Sequence, residues 1–500
     1  MPGIAGASYT RRTMCVRASL SRQFPAGFLI AGSALALLLP VGCTLQRYEA
    51  APLDPAASAQ RFESRTTDAP GLKQYMLEHG HPGTEWPVQR WTLADLTLVA
   101  FYYRPDLEVA RAQAAAVRAQ VAAATQRPPI GLKPVVWHHS LQPPETTSPW
   151  SLGFEIEVPL GGSGRRAAIG EQYGSLADAA ELGVGSAAWA ARSDVRARFL
   201  DCYAAGRTLE LLDAEARERR ALVSLLERRF ELGAGSTLEV GSARLKLAEV
   251  EGQIQSAQLT REQTLGALAR ALGLPLAAVR DMSFDFTVLE RTPVSPSDRD
   301  AQRAALLNRL DVRAKLLEYA AADAALKLEI ARQYPTVTLS PGYLWDQGDN
   351  IWSLVGTILI PAAGNKPAIE AAQAGRKAAA QDFLAFQVKV ISDADSAEAR
   401  YRKAQENAAG ARRLAELQAA RDQRAKRQFD AGHTDRVELT LVRLEALAVE
   451  RNVLAVGLDT QRALGALEDA LQIPLAGAPA PSWTRDKPKP DSASLGLAKR

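Results

Sequence analysis

Cysteine is nearly absent. Three residues in a chain of 500, Cys15, Cys43 and Cys202, cannot build a disulfide framework or a cysteine-rich metal module. Aromatic residues make up only 6% and histidine only five positions. The hydrophobic share rests instead on alanine, which favours long, closely packed helices over a thick mixed core. Excess charge is missing as well. The net charge of +4 equals the four arginines Arg11, Arg12, Arg17 and Arg22, and no acid falls among the first 42 residues. The remainder is neutral, so no basic surface points to nucleic acid. No His-Glu-x-x-His, Gly-x-Ser-x-Gly or Cys-x-x-Cys occurs, and no catalytic residue or cofactor is expected. Glu78-His79-Gly80-His81 and His138-His139 lack third and fourth ligands at metal-site spacing, so no metal is expected either. Gly161-Gly162-Ser163-Gly164 has neither the dinucleotide-binding spacing nor a phosphate-loop lysine, and reads as a turn.

What the sequence does contain begins with an export signal over residues 1–42. Arginines precede the apolar run Ala26–Leu39, which is too short for a comfortable membrane-spanning helix and matches a signal-peptide core. Pro40-Val41-Gly42-Cys43 closes it and resembles the lipobox of bacterial lipoproteins, which implies cleavage before Cys43 and acylation of its thiol. The alternative is ordinary cleavage with an incidental cysteine. Thr44 replaces the Asp of the usual inner-membrane retention signal. Residues 43–90 read as an extended N-terminal segment.

The strongest feature is a duplication with a period near 200 residues, far beyond solenoid periods. Arg104-Pro105-Asp106-Leu107 corresponds to Arg309-Leu310-Asp311-Val312, and Trp150-Ser151-Leu152 to Trp352-Ser353-Leu354. Phe230, Gly233, Leu238 and Glu239 correspond to Phe429, Gly432, Val437 and Glu438. Ala267-Leu268 and Pro275-Leu276 correspond to Ala466-Leu467 and Pro474-Leu475. The order is the same in both halves, 91–290 and 299–475, which the proline-rich residues 291–298 join. Each half is expected to hold a helix (Leu93–Thr125; Arg299–Arg332) and two strands (131–140 and 150–158; 336–345 and 351–360). A very long helix (about 165–231; 365–430) and a returning helix to Leu272 or Leu471 follow. Each long helix would span on the order of 100 Å. Gly183 and Gly185 predict a kink or break in the first. Gly233 and Gly432 suit helix ends, and Ser236 and Asp435 suit caps of the returning helices. The tail 476–500, rich in Pro, Ser and Lys, reads as disordered.

The strand Trp150–Val158 alternates cleanly. Trp150, Leu152, Phe154, Ile156 and Val158 point one way, and Ser151, Gly153, Glu155 and Glu157 the other. In the matching strand Trp352, Leu354, Gly356, Ile358 and Ile360 share a face, with Val355 and Leu359 interrupting the polarity opposite. Pattern alone fits either a small soluble sheet with one buried face or a membrane β-barrel strand with a wet lumen. Trp137, Trp150, Tyr343, Trp345 and Trp352 are expected to form an interfacial aromatic girdle. Four strands are too few to close a barrel, for which about eight is the usual minimum. An open sheet cannot lie in lipid with bare edge amides. A membrane reading therefore demands further copies of the chain.

An exported, duplicated chain of this kind resembles the outer-membrane efflux proteins of the TolC family, on the Phe-x-x-Gly turns and the Trp-Ser-Leu strands. The resemblance implies a mainly α fold with a small β part. In it three subunits build an α-helical barrel that continues an outer-membrane β-barrel of four strands each. It also implies a passive conduit fed by an inner-membrane pump through a periplasmic adaptor, in a homotrimer anchored in outer-membrane lipid. The adaptor contacts would be Gly233, Ser236, Leu238, Gly432, Thr434 and Val437. By motif match Glu438 takes the place of an acid lining the periplasmic constriction; the alternative is a helix-start acid favoured by the dipole. Leu441 stands where a second such acid is expected. The same architecture serves type I-like protein or polysaccharide export, and a non-spanning periplasmic helical scaffold lipoprotein is the reading from another class.

Overall fold

The computed structural model describes residues 46–80, 86–141, 144–146, 148–293, 303 and 306–475. The export signal, Cys43, His81, most of the inter-repeat linker and the tail 476–500 lie outside the described residues. The chain divides into two compact units, residues 1–58 and 59–500. Of the first, the described part is exposed, extended chain running into the helix α1 (Pro55–Glu63), which buries no residue. The second holds everything that follows.

Helix α2 (Pro70–Glu78) precedes the first repeat. That repeat runs α3 (Leu93–Tyr103), α4 (Pro105–Ala124), β1 (Gly131–His138), β2 (Trp150–Leu160), α5 (Ser163–Glu231), α6 (Thr237–Leu272) and a single turn, α7 (Leu276–Val279). The second runs α8 (Leu310–Ala331), β3 (Thr336–Asp346), β4 (Asp349–Leu359), α9 (Lys366–Asp430) and α10 (Arg436–Leu471). The architecture is mainly helical, with one small antiparallel sheet to which each repeat contributes a hairpin.

Two expectations need correction. Helix α5 is continuous over 69 residues and is not interrupted at Gly183 or Gly185. A glycine inside a helix costs only about 1 kcal/mol. Here Ala177, Ala179, Ala188 and Trp189 are buried on either side and hold the helix through the weak point. The opening helix, in contrast, is two helices. Arg104 is extended (φ −75°, ψ 121°) because a residue before proline is driven out of the helical region. Arg309, with no proline after it, takes the same conformation (φ −56°, ψ 135°).

A shared contact accounts for that coincidence. Arg104 Nη1 reaches the carbonyl of Ala271, 3.5 Å away, and Arg309 Nη1 bonds that of Ala470. Each guanidinium also holds the aspartate two residues on, Asp106 or Asp311. The repeated Arg-x-Asp block is thus a buckle. It turns the chain so that a cation meets the carbonyl-rich C-terminus of the returning helix, where the helix dipole favours positive charge. Arg65 reinforces the first buckle by donating to Tyr103 O (2.9 Å) and Gly273 O (2.8 Å).

Around this buckle lies the largest core, built from Trp91, Leu96, Phe101, Leu107, Val195, Phe199, Leu268 and Leu272, with Leu72 and Met76 of α2 fully buried against it. Main-chain bonds from Trp91 to Ser283 and from Asp285 to Trp91 tie the repeat's beginning to its end. The matching cluster in the second repeat is smaller, around Tyr401, Leu464, Leu467 and Leu471. Between the long helices alanines share the buried positions with larger aliphatics, as in Leu212, Ala216, Val250, Ile254 and Ala257 and in Ala425, Leu439 and Val442. Cys202 is buried on α5, and burial pushes its thiol up to about 11.

Arg309→Ala is expected to lower stability by about 2 kcal/mol, the loss of charge-assisted bonds in a mostly buried site. Thermal unfolding checks this, with the exposed Arg402→Ala as an unaffected control. Alkylation of Cys202 is expected only after unfolding.

Candidate functional site

The sheet carries the strands in the order β1-β2-β3-β4, every pair antiparallel. Its register decides which residues share a face. Leu152 lies opposite Val136 and Trp345, and Phe154 opposite Pro134 and Tyr343, which in turn faces Trp352. Leu160 pairs with Val337, and Val337 with Ile358. Apart from His138 and Asn350 at one end, this face is apolar, and it is uncovered: Trp352 is 80% exposed, Ile358 61% and Phe154 43%. A soluble sheet would bury such a face; this one presents it outward.

The opposite face carries the sheet's charged and hydroxyl side chains, interrupted by Val135, Leu344, Ile351, Val355 and Leu359. Lys133 sits across from Glu155 and pairs with Glu157. Ser151 is fully buried between Asp346 and His139, and the His139 ring nitrogen lies 3.2 Å from Asp346. Trp137 corrects the aromatic expectation. It pairs with Ser151 and therefore stands on the polar face, while Trp150, Tyr343, Trp345 and Trp352 remain on the apolar one. A strand's period of two decides this, since Trp137 is an odd step from its apolar neighbours Leu132, Pro134 and Val136. His138 packs edge-on against Trp150, and His79 stacks on Tyr75, so neither is arranged as a ligand. Among the described residues no three His, Cys, Asp or Glu side chains gather as a metal site. Within the same residues no helix is long and apolar enough to cross a membrane.

At the far ends of the long helices the two turns are built alike. Gly233 (φ +75°) and Gly432 (φ +74°) take the left-handed conformation that ends a helix at least cost on glycine. The bonds Gly233 N to Phe230 O (2.9 Å) and Ala234 N to Arg229 O (2.8 Å) recur as Gly432 to Phe429 and His433 to Gln428. Ser236 then caps α6 and Asp435 caps α10. The caps differ in one respect. Glu239 returns a bond to the Ser236 amide and closes a capping box. Glu438 gives its own amide to Asp435 (2.8 Å), but its exposed carboxylate makes no hydrogen bond or ion pair among the described residues.

Around these caps Leu232 and Leu238 are each 78% exposed, and Val437 is half-buried. The Thr434 hydroxyl oxygen is buried without a hydrogen-bond partner. An ion pair joins the two turns: Arg229 lies 3.6 Å from Asp435. Sequence reasoning missed it, because the two residues fall at non-equivalent repeat positions and nothing in the pattern pairs them.

Glu239→Ala is expected to speed amide exchange in the first turn of α6, a loss of about 1 kcal/mol of cap energy. Glu438→Ala is expected to leave the first turn of α10 unchanged. Hydrogen exchange resolved by residue distinguishes the two carboxylates.

Comparison with known proteins agrees with this geometry. Residues 100–274, most of the first repeat, match the family model "Outer membrane efflux protein". Three solved structures share the fold. The transmembrane channel CusC aligns at 18% identity over 78% of this chain and 95% of its own, with a TM-score of 0.63. The outer-membrane channel OprN aligns at 20% identity over 86% and 98%, with 0.61. The outer membrane protein VceC of Vibrio cholerae aligns at 19% over 76% and 95%, also with 0.61. No curated protein matches the chain in sequence. The family and these neighbours are channel proteins, not enzymes. Residues 100–274 thus carry the sequence pattern of the outer membrane efflux protein family, and across both repeats the chain has the fold of these solved channels.

Proposed function

We propose that the chain is one third of a homotrimeric outer-membrane conduit and serves a tripartite efflux system. The observation that carries this reading is the sheet: an uncovered apolar face, a polar opposite face, and only four strands. Three copies supply twelve strands, above the roughly eight at which barrels begin to close. Joining β4 of one copy to β1 of the next would satisfy the edge amides that lipid cannot. The polar face, with Lys133, Glu155, Glu157 and Asp346, would then line the water-filled lumen. Trp150, Tyr343, Trp345 and Trp352 would meet lipid.

The long helices would extend the conduit into the periplasm and end at the two glycine turns. There an adaptor would dock on Gly233, Ser236, Leu238, Gly432, Thr434 and Val437. The exposure of Leu232 and Leu238 supports an apolar contact at that tip. Energy would come from an inner-membrane pump, and the channel itself would only open and close. Opening would separate the first-repeat helix α5 from the second-repeat helix α10 and so break the Arg229–Asp435 pair. The free Glu438 carboxylate supports the gate role over a capping one, since a cap would engage it as Glu239 is engaged. Three copies on a narrow axis would form a carboxylate ring that favours cations and is blocked by multivalent ones. Cys43, acylated, would anchor the N-terminus in the outer membrane.

Conductance in planar bilayers tests the conduit. Discrete channel steps are expected, and a species that never conducts contradicts the reading. Glu438→Gln is expected to weaken block by trivalent cations by an order of magnitude, whereas unchanged block removes Glu438 from the constriction. In the host, deletion is expected to cause drug or metal sensitivity without a secretion defect.

A further inference from the structure

Where the helices meet the sheet, α4, α5, α8 and α9 lie in a row, each packed on the next. A cavity of about 650 Å³ opens on one side of this row and draws its lining from all four helices. On α5 it takes Ile169 and Tyr173, and on α9 Ala368 and Ala372. On α8 it takes Ala325, Leu328 and Glu329, with Arg332 just past the helix end. Spacings of three and four residues put each set on one helix face. A hollow shared by four helices in a row lies on the concave side of the row. Its size suits a drug-sized molecule, and its floor of alanine, leucine and isoleucine is apolar.

A single side chain shows which side this is. Arg165 stands one helical turn before Ile169 and so shares the cavity face of α5. Its guanidinium donates to the Thr336 hydroxyl (2.8 Å). Thr336 lies in β3 on the same face as Thr338, Ser340 and Asp346. The cavity therefore opens on the side of the sheet that carries its charged and hydroxyl groups. Asp323 and Lys327 leave α8 on the face opposite Ala325 and Glu329. There Glu171 pairs with Lys327, and Asp323 with both Lys327 and Arg376, so that side is neutralised across three helices.

At the cavity the charges do not balance. Glu329 is engaged by Arg332 (2.5 Å) and by Asn365 (2.9 Å). Arg165, at the sheet end, is held only by neutral oxygens: the carbonyls of Ala331 and Tyr334 and the Thr336 hydroxyl. It forms no ion pair among the described residues. One positive charge is left over beside an apolar floor, and the Arg332 side chain is exposed to meet a ligand.

We propose that this cavity is a binding station for anionic amphiphiles, molecules with one carboxylate or sulfate and a drug-sized apolar body. The acidic head meets Arg332 and the field of Arg165. The body covers Ile169, Leu328 and the alanines. A cationic amphiphile of the same shape faces uncompensated positive charge and binds less. The proposal rests on the channel reading above, since only a closed wall turns this side of the row into a lumen. It names a substrate class for that channel, with one station in each copy of the chain.

A decanoate carrying a diazirine in its chain, with the matching trimethylammonium amphiphile as control, tests the site on the full chain in host membranes. Labelled residues are mapped by mass spectrometry. The decanoate probe is expected to label segments 165–173 and 325–332, and excess plain decanoate to remove that label. The cationic probe labels them about tenfold less, the worth of one charge-assisted contact. Ala325→Phe fills the floor and abolishes labelling there, while labelling of the sheet's apolar face persists and shows that the chain is folded. Arg332→Gln keeps the cavity and brings the two probes to parity. Equal labelling of both segments by both probes in the unaltered chain, or labelling that survives Ala325→Phe, overturns the proposal.

Host cells then separate the station from the channel. Ala325→Phe is expected to raise sensitivity to decanoate several-fold and leave sensitivity to the cationic amphiphile unchanged. Unchanged sensitivity to both, in a variant that still conducts, overturns the station. Labelling at the cavity in a chain that never conducts contradicts the channel reading instead and leaves the binding site standing.

Discussion

A backbone amide in hydrocarbon must find its partner within protein, and the proposed function rests on that requirement. The four strands pair with one another and leave the outer edges of β1 and β4 unpaired among the described residues. Their apolar face has no core to cover it. Water and lipid each reject the sheet as it stands, water because of the face and lipid because of the edges. The long helices follow from the same logic. Each begins within a few residues of a strand's end, so whatever position the sheet takes, the helices extend from it.

The duplication serves this arrangement twice. Each repeat supplies one hairpin to the sheet and one long helical hairpin with a glycine turn. Each fastens the returning helix with the same arginine buckle, Arg104 onto Ala271 and Arg309 onto Ala470. The repeats then diverge where they do different work. The first carries the large core and the N-terminal strap of Leu72 and Met76. The second lacks the reciprocal cap bond at its turn, and the Glu438 carboxylate makes no hydrogen bond among the described residues.

Much of this was legible in the sequence, and for a physical reason. A strand's two-residue period and a repeat's constant offset are both local regularities, so the faces of β2 and the paired glycine turns could be read directly. What escaped depends on neighbours. The glycines at 183 and 185 suggested a break, but the helix runs through them without interruption, with buried alanines and Trp189 on either side. Arg104 and Arg309 stood out as repeated residues, yet their role needs the C-terminus of a helix well over a hundred residues away. The Arg229–Asp435 pair joins different repeats, and no periodicity marks such a pairing. Trp137 was misplaced by composition, since an aromatic in a strand is read as lipid-facing until its register is known.

The central claim is that the sheet is an incomplete wall closed by other copies of the same chain. Cysteines scanned along β1 and β4, placed singly on each strand and oxidised in native membranes, test it most directly. The account predicts covalent ladders that end at three chains, formed only when both edges carry a cysteine. Oxidation that yields no linkage between chains at any register, with monomers throughout, would contradict it.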